Sequence, residues 1–393
     1  MTPTRRNLIL GAAATALLPA ALRAATPQEV AAALNSEGAQ LLVYWPAGSN
    51  FRRWITDTVV AGFERHVKES YGVDLQIGQL STGGGDAAFW QRVEAHHLAG
   101  ARRPFPIDVV RVAPDARTLR AIRQGWLSAL PTEPGGPMPH VASLNAAGRA
   151  TFTHQGRLFA APLYQPTISF FHDSARLPTP PSNLDALLTW AAAHPGRFTY
   201  EDPRSSSGIG SGTMFLLAVM HRFGDETDPA TWERGWDYLR ALQPHVHPQP
   251  NTGEQALELM RRGAIDLMAF WNDWGLFARE SLRMPTMRNY LIDSGLPVRN
   301  TPLAIPAGAA HPLAAQMFVN YAVSPVIQTS LATIQRQIPA SVAPEVWAGI
   351  PEDAFGFPYE TIRAKTFPSF HTEGAIAAIA QLANRWGREV LGR

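Results

Sequence analysis

The stretch Gly156-Arg157-Leu158-Phe159-Ala160-Ala161-Pro162-Leu163-Tyr164-Gln165-Pro166-Thr167-Ile168-Ser169-Phe170-Phe171-His172 decides the architecture. It opens at a turn glycine, runs apolar, is interrupted twice by proline, and then alternates into a second apolar run. Proline has no backbone donor, so neither Pro162 nor Pro166 suits the middle of a continuous central strand. Gln165-Pro166 is no two-residue hairpin turn either. The economical reading is two strand pieces joined by a stiff, extended connection, with a compact unit on each side. The alternative is an irregular edge strand in one large domain. The choice rests on whether each side is an α/β unit in its own right.

On the N-terminal side, three strand–turn–helix units follow one another. Gln40 to Trp45 is an apolar run ending in Pro46-Ala47-Gly48-Ser49-Asn50, where Asn50 can cap the helix that carries Trp54, Ile55, Val59 and Phe63. Val73 to Ile77 alternates and meets Ser81-Thr82-Gly83-Gly84-Gly85-Asp86 before a helix with Phe89 and Val93. Ile107 to Val112 is followed by Ala113-Pro114-Asp115 and a helix to Gly125. Such repetition implies a parallel or mixed sheet with helices on its faces. Beyond the crossing, Ser182-Asn183-Leu184-Asp185 opens a helix as a capping box, and Arg197 to Tyr200 is a strand. A Ser/Gly-rich segment, Ser205 to Gly212, leads into a helix to about Phe223, and Ile265 to Trp271 is a strand ending at Asn272-Asp273-Trp274. The tail, Thr372 to Leu391, reads as one amphipathic helix.

The chain has 393 residues, 46% hydrophobic and 17% charged, which supports large cores and favours two domains. Arg5-Arg6, an apolar run from Leu8 to Leu22 and small residues at Ala24-Ala25 read as a cleaved export signal with a twin-arginine character. An ordinary secretory signal would lead to the same compartment, the periplasm. Removing residues 1–24 takes away Arg5, Arg6 and Arg23 and moves the formal charge from +2 to −1, so no charge argument for nucleic acid survives. There is no cysteine, hence no disulfide framework, thiol nucleophile, thiolate metal site or lipid-modified cysteine. A soluble monomer is expected.

The order of these pieces resembles an extracellular solute-binding protein of an ABC importer, of the family that includes maltose, polyamine, iron and thiamine binders. Gly156 to Ser169 is similar to that family's first inter-lobe crossing. Pro180-Pro181-Ser182-Asn183-Leu184-Asp185-Ala186-Leu187-Leu188 looks like its proline–cap–helix block, and Pro312 to Gln328, with Ser324-Pro325, looks like its late helix. Asp202-Pro203-Arg204-Ser205-Ser206 resembles the thiamine binders. The resemblance implies a two-lobed periplasmic-binding-protein fold of type II-like plan, α/β, each lobe a mixed sheet flanked by helices, with a hinge between. The expected lobes are residues 26–161 with 297–343, and 162–296 with 344–393. The implied partners are a small polar solute, thiamine-like or polyamine-like, and the permease subunits of an importer; no cofactor is implied.

Strand ends and helix starts gather at the cleft of such a fold. The candidate solute-binding residues are therefore Trp45, Ser49 and Asn50; Thr82, Gly84 and Asp86; Tyr164 beside the crossing; Ser206, Ser211 and Thr213; and Trp271, Asn272 and Asp273. Ser205 to Thr213 offers hydroxyls and free N–H groups as an anion cradle, or is simply a capped loop with Ser211 or Thr213 as N-cap. The tryptophans could stack on a ring or cation, or pack at the sheet rim. His245 with His247, and His96 with His97, lack the carboxylates and spacing of a metal site and read as surface histidines. A second class, an exported α/β hydrolase or lyase, finds no nucleophile elbow and no metal cluster in its favour.

Overall fold

Short apolar runs bounded by turn residues become fourteen strands in the computed structural model, which describes residues 26–392 apart from Gly48, residues 81–86, Arg102, residues 134–136, residues 206–208 and His371. The side chains of Ser49 and Asn50 also lie outside the described set. In chain order the strands are β1 (Gln40–Tyr44), β2 (Gln76–Leu80), β3 (Val109–Arg111), β4 (Thr153–His154), β5 (Arg157–Leu158), β6 (Ala160–Gln165), β7 (Ile168–Asp173), β8 (Phe198–Tyr200), β9 (Leu267–Trp271), β10 (Met287–Tyr290), β11 (Leu296–Val298), β12 (Thr301–Ala304), β13 (Ile338–Pro339) and β14 (Thr366–Pro368).

Two mixed sheets organise them. The larger has the order β13-β6-β12-β3-β1-β2, the smaller β10-β7-β9-β8. In the larger, β1 pairs in parallel with β2 and β3, while β12 runs antiparallel to both β3 and β6. In the smaller, only β8 and β9 are parallel. β6 and β7 are separated by Pro166-Thr167 alone and belong to different sheets, so the chain does cross between two lobes there.

Pro162 behaves differently from its sequence reading. It lies inside β6 rather than at a break, opposite Pro302 of β12, where the register slips by one residue of β6. Two prolines facing each other at a bulge leave no donor wanting a partner on either side, which is how an interior strand position tolerates proline.

The chain returns beside the first crossing. Thr167 bridges Val298, the Thr167 hydroxyl donates to the Pro297 carbonyl at 2.9 Å, and the Arg299 N–H donates to the Pro166 carbonyl at 3.3 Å. Ser369 then donates through both N–H and hydroxyl to the Val298 carbonyl. The link between lobes is thus a narrow, hydrogen-bonded band of extended segments, the construction expected of a hinge.

The second lobe is built around the helix Ser211–Phe223, whose residues from Ser211 to Met220 are all buried, as an all-round apolar helix must be. Gly212 is required at its start, because a Cβ there would stand 2.1 Å from the Glu201 carbonyl oxygen. The tail forms two helices, Glu373–Ile379 and Leu382–Glu389, instead of one. The first packs on the helix Ala116–Arg123 of the first lobe, while the second docks on Ser211–Phe223, its Trp386 indole donating to the Tyr200 hydroxyl at 2.9 Å. One straight helix could not meet both surfaces. Among the described residues, no helix is long and apolar enough to cross a membrane.

Candidate functional site

β1 is followed directly by Trp45, whose ring meets Trp54 edge-on at 6.1 Å. Trp54 lies in the helical segment from Ser49 to Tyr71, just before a π-helical stretch, Ile55–Val60; such irregular turns often mark functional positions. Phe51, one turn earlier, is edge-on to Trp54 and stacks on Tyr164 of β6 at 5.5 Å. Trp45 and Tyr164 are therefore brought together through Phe51 and Trp54 into one aromatic cluster on the first lobe, and all four rings are buried.

On the second lobe, Trp271, Asn272 and Asp273 sit where β9 turns into the helix Asn272–Ser281. Trp271 is half-buried, with the Arg299 guanidinium 5.1 Å above its ring. Asn272 is held at the hinge: its N–H donates to the Thr167 carbonyl, its Nδ2 donates to the Phe355 carbonyl at 3.1 Å, and it accepts from Asn289. Asp273 is buried and lines a cavity of about 510 Å³ between the lobes. Trp54, Asp57 and Gln335 of the first lobe face Asp273 and Phe277 of the second across it. The Arg336–Glu280 ion pair, 3.0 Å, spans the same gap. A smaller cavity of about 200 Å³ separates Pro114 and Asp115 from Ile209, Phe370, Ile376 and Ile379.

Ser211 and Thr213 are placed differently. Both are fully buried and spend their hydroxyls inside the protein, Ser211 on the Glu201 carboxylate at 2.6 Å and Thr213 on the Pro203 carbonyl at 3.3 Å. The N-cap is Gly210, which has no side chain to offer. Glu201 fills the cradle instead, accepting also from Ser205 Oγ at 3.0 Å and Gly212 N–H at 3.3 Å. Burial raises its pKa above the ordinary carboxylate range, opposed by the hydrogen bonds from Ser211, Ser205 and the helix-start amides. The acceptor at this helix start is the protein's own carboxyl group.

Thr82, Gly84, Asp86 and Ser206 lie outside the described residues, as do the side chains of Ser49 and Asn50. Among the described residues, no three of His, Cys, Asp and Glu gather as a metal site. Sequence reasoning passed over Phe51, Trp54, Glu201, Arg111 and Arg299. Phe51 and Trp54 look like ordinary helix-core residues, whereas Arg111 carried a signal: it is a lone cation in an apolar strand.

The sequence profile of the family described as "Bacterial extracellular solute-binding protein" matches residues 99–347. A curated relative, Protein YnjB of Escherichia coli (strain K12), is 23% identical over 241 residues, which are 56% of this chain and 60% of that protein, so the match spans less than two thirds of its length. Similar solved structures include the GacH receptor of Streptomyces glaucescens, studied unliganded and with acarbose (TM-score 0.69, 15% identity, 90% of this chain and 93% of that one). The periplasmic binding protein AfuA of Actinobacillus pleuropneumoniae, with fructose-6-phosphate bound, has a TM-score of 0.64 at 16% identity over 90% and 98% of the two chains. The apo ferric ion-binding protein A of Pasteurella haemolytica gives 0.61 at 11% identity over 88% and 97%. At these identities the structural likenesses establish the two-lobed fold.

Proposed function

The chain belongs to the bacterial extracellular solute-binding proteins, and from that premise we propose that it captures a small polar solute in the periplasm and delivers it to the permease of an ABC importer. The observation that carries this reading is the cavity lined from both lobes, with Trp54, Asp57 and Gln335 on one side and Asp273 and Phe277 on the other. The lobes expected from the sequence are residues 26–161 with 297–343 and 162–296 with 344–393; because β6 pairs in the larger sheet, we assign residues 162–165 to the first. Trp45 and Tyr164 on one side and Trp271, Asn272 and Asp273 on the other form the site; Thr82, Gly84, Asp86, Ser49, Asn50 and Ser206 belong to the same proposed site.

Export by the signal at residues 1–25, through the twin-arginine route, belongs to the same proposal. The structural relatives are described with acarbose, fructose-6-phosphate and ferric ion, three unlike solutes on one fold, so solute choice rests on the cleft side chains. A thiamine-like or polyamine-like cation would set its charge against Trp271 and Asp273. Native mass spectrometry of freshly purified protein tests the reading. A stoichiometric small molecule that is released unchanged and raises the melting temperature when returned is expected. Its slow conversion by the purified protein would favour the hydrolase or lyase alternative.

A further inference from the structure

Of the buried donors in the first lobe that lack an acceptor among the described residues, three share one face at one end of the larger sheet. The Trp45 indole N–H is sealed from solvent with no partner, on a residue 2% exposed. The Thr301 hydroxyl, on a residue with no exposed surface, has none either. Arg111 is half-buried, makes no ion pair among the described residues, and has its Nε buried and unbonded.

The strand registers bring these groups together. β1 sets Val43 beside Val109 and Tyr44 beside Val110 of β3, so the next step sets Trp45 beside Arg111. β12 sets Leu303 beside Arg111, and Thr301 lies two residues before Leu303 on the same strand. Side chains alternate along a strand and neighbouring strands lie about 4.8 Å apart, so all three occupy one patch of one face. The extra residue at the nearby bulge belongs to β6, which leaves the alternation of β12 unbroken. Arg299, just before β12, extends from this patch to the Trp271 ring of the second lobe.

Indole N–H and guanidinium groups donate and cannot accept, so whatever satisfies them must bring acceptors. Buried donors are nearly always bonded, and three orphans in one patch call for a partner that arrives from outside. The acid next along the chain cannot serve, because Asp115 already takes both Nε and Nη2 of Arg117, at 3.0 and 2.8 Å. The two lobes touch in this structure, through Arg336 with Glu280 and Arg123 with Glu373.

We propose that the solute carries an acidic group, a carboxylate or a phosphate, and that Arg111 holds it, with the Trp45 indole N–H and the Thr301 hydroxyl as further donors. This rests on the reading of the inter-lobe cleft as the solute site. Arg111 forms charge-assisted bonds to the group, and a carboxylate or phosphate has enough lone pairs to take all three donors at once. Asp57 and Asp273 line the adjoining cavity, so any cationic end of the solute lies away from Arg111.

The test follows the indole N–H signals of the full chain, labelled with 15N-tryptophan, during titration with inorganic phosphate and with succinate; the signal of Trp45 is assigned by its loss in Trp45→Phe. At least one anion should move that signal saturably. Arg111→Met should weaken the response about tenfold or more, Arg111→Lys should recover part of it because the charge survives without the planar fork, and Thr301→Val should weaken it a few-fold at unchanged shape. If Arg111→Met does not fold, Arg111→Lys and Thr301→Val carry the comparison. A Trp45 signal indifferent to both anions overturns the proposal, as does an anion response that none of the variants weakens. Spermidine moving the Trp271 indole and raising the melting temperature, with Trp45 unmoved by anions, overturns the acidic-group assignment and leaves solute capture standing.

Discussion

Replacing Glu201 separates a structural role at the start of the helix Ser211–Phe223 from a ligand-binding role for the same loop. Glu201→Ala removes the acceptor for two donors that have no access to water, the Ser211 hydroxyl and the Gly212 N–H, while Ser205 is exposed and rehydrates. Each orphaned buried donor costs about 1–3 kcal/mol, so the variant should lose about 2–6 kcal/mol of stability. Glu201→Gln keeps an acceptor oxygen for both donors and should cost less than about 2 kcal/mol at acid pH.

The two variants also differ in pH dependence. The Glu201 pKa is raised in the folded protein by burial, so the folded state favours the protonated carboxyl. That contribution is complete below the ordinary glutamate pKa and is lost as pH rises through the raised folded value. The stability of the wild type should therefore fall relative to Glu201→Gln as pH rises from the ordinary carboxylate range toward neutrality, and the amide should abolish this component. Urea denaturation followed by tryptophan fluorescence across that window measures both effects. Parallel pH profiles for wild type and Glu201→Gln, or a Glu201→Ala variant as stable as wild type, would refute the assignment.

Trp271→Ala removes the ring beneath Arg299 and should weaken solute binding by about 1–3 kcal/mol. Because the ring is half-buried, the unliganded protein should lose clearly less than the about 3–5 kcal/mol of a core tryptophan; a larger loss in thermal melting would make Trp271 a packing residue. Arg336→Gln breaks the ion pair to Glu280 across the cleft, side chains 25% and 39% exposed, and should shift the solute-free protein toward open forms at a stability cost of about 0–1 kcal/mol; an unchanged scattering profile would count against that latch. Replacing Arg5 and Arg6 together by lysine should hold the precursor in the cytoplasm, and undiminished export of that variant would indicate the general secretory route.

The crossing was legible because Pro166 breaks the hydrogen-bond pattern between two apolar runs, and the parallel units were legible because each strand ends in a turn that starts a helix. Pro162 misled, since a facing proline on a distant strand removes the penalty and no local pattern reveals it. The hydroxyls of Ser211 and Thr213 looked available because their acceptors, Glu201 and Pro203, come from the strand-end turn ten residues upstream, and only the fold brings them back over the helix start. Trp45 and Tyr164 were legible as strand-end aromatics. That they meet through Phe51 and Trp54 depends on how the helix crosses the sheet, which helical spacing alone does not specify. Arg111 was readable as a cation in an apolar strand, yet its neighbours Trp45 and Thr301 are set by register between strands far apart in sequence.

Hinge closure on a solute is the central claim, and small-angle scattering measures it directly. The protein is compared after its co-purified solute has been stripped and again after that molecule, identified by mass spectrometry, is returned at saturation. The lobes should close about the band formed by Pro166-Thr167 and Val298-Arg299, giving a smaller radius of gyration with solute than without. Superposable curves for the stripped and the saturated protein would contradict capture by closure.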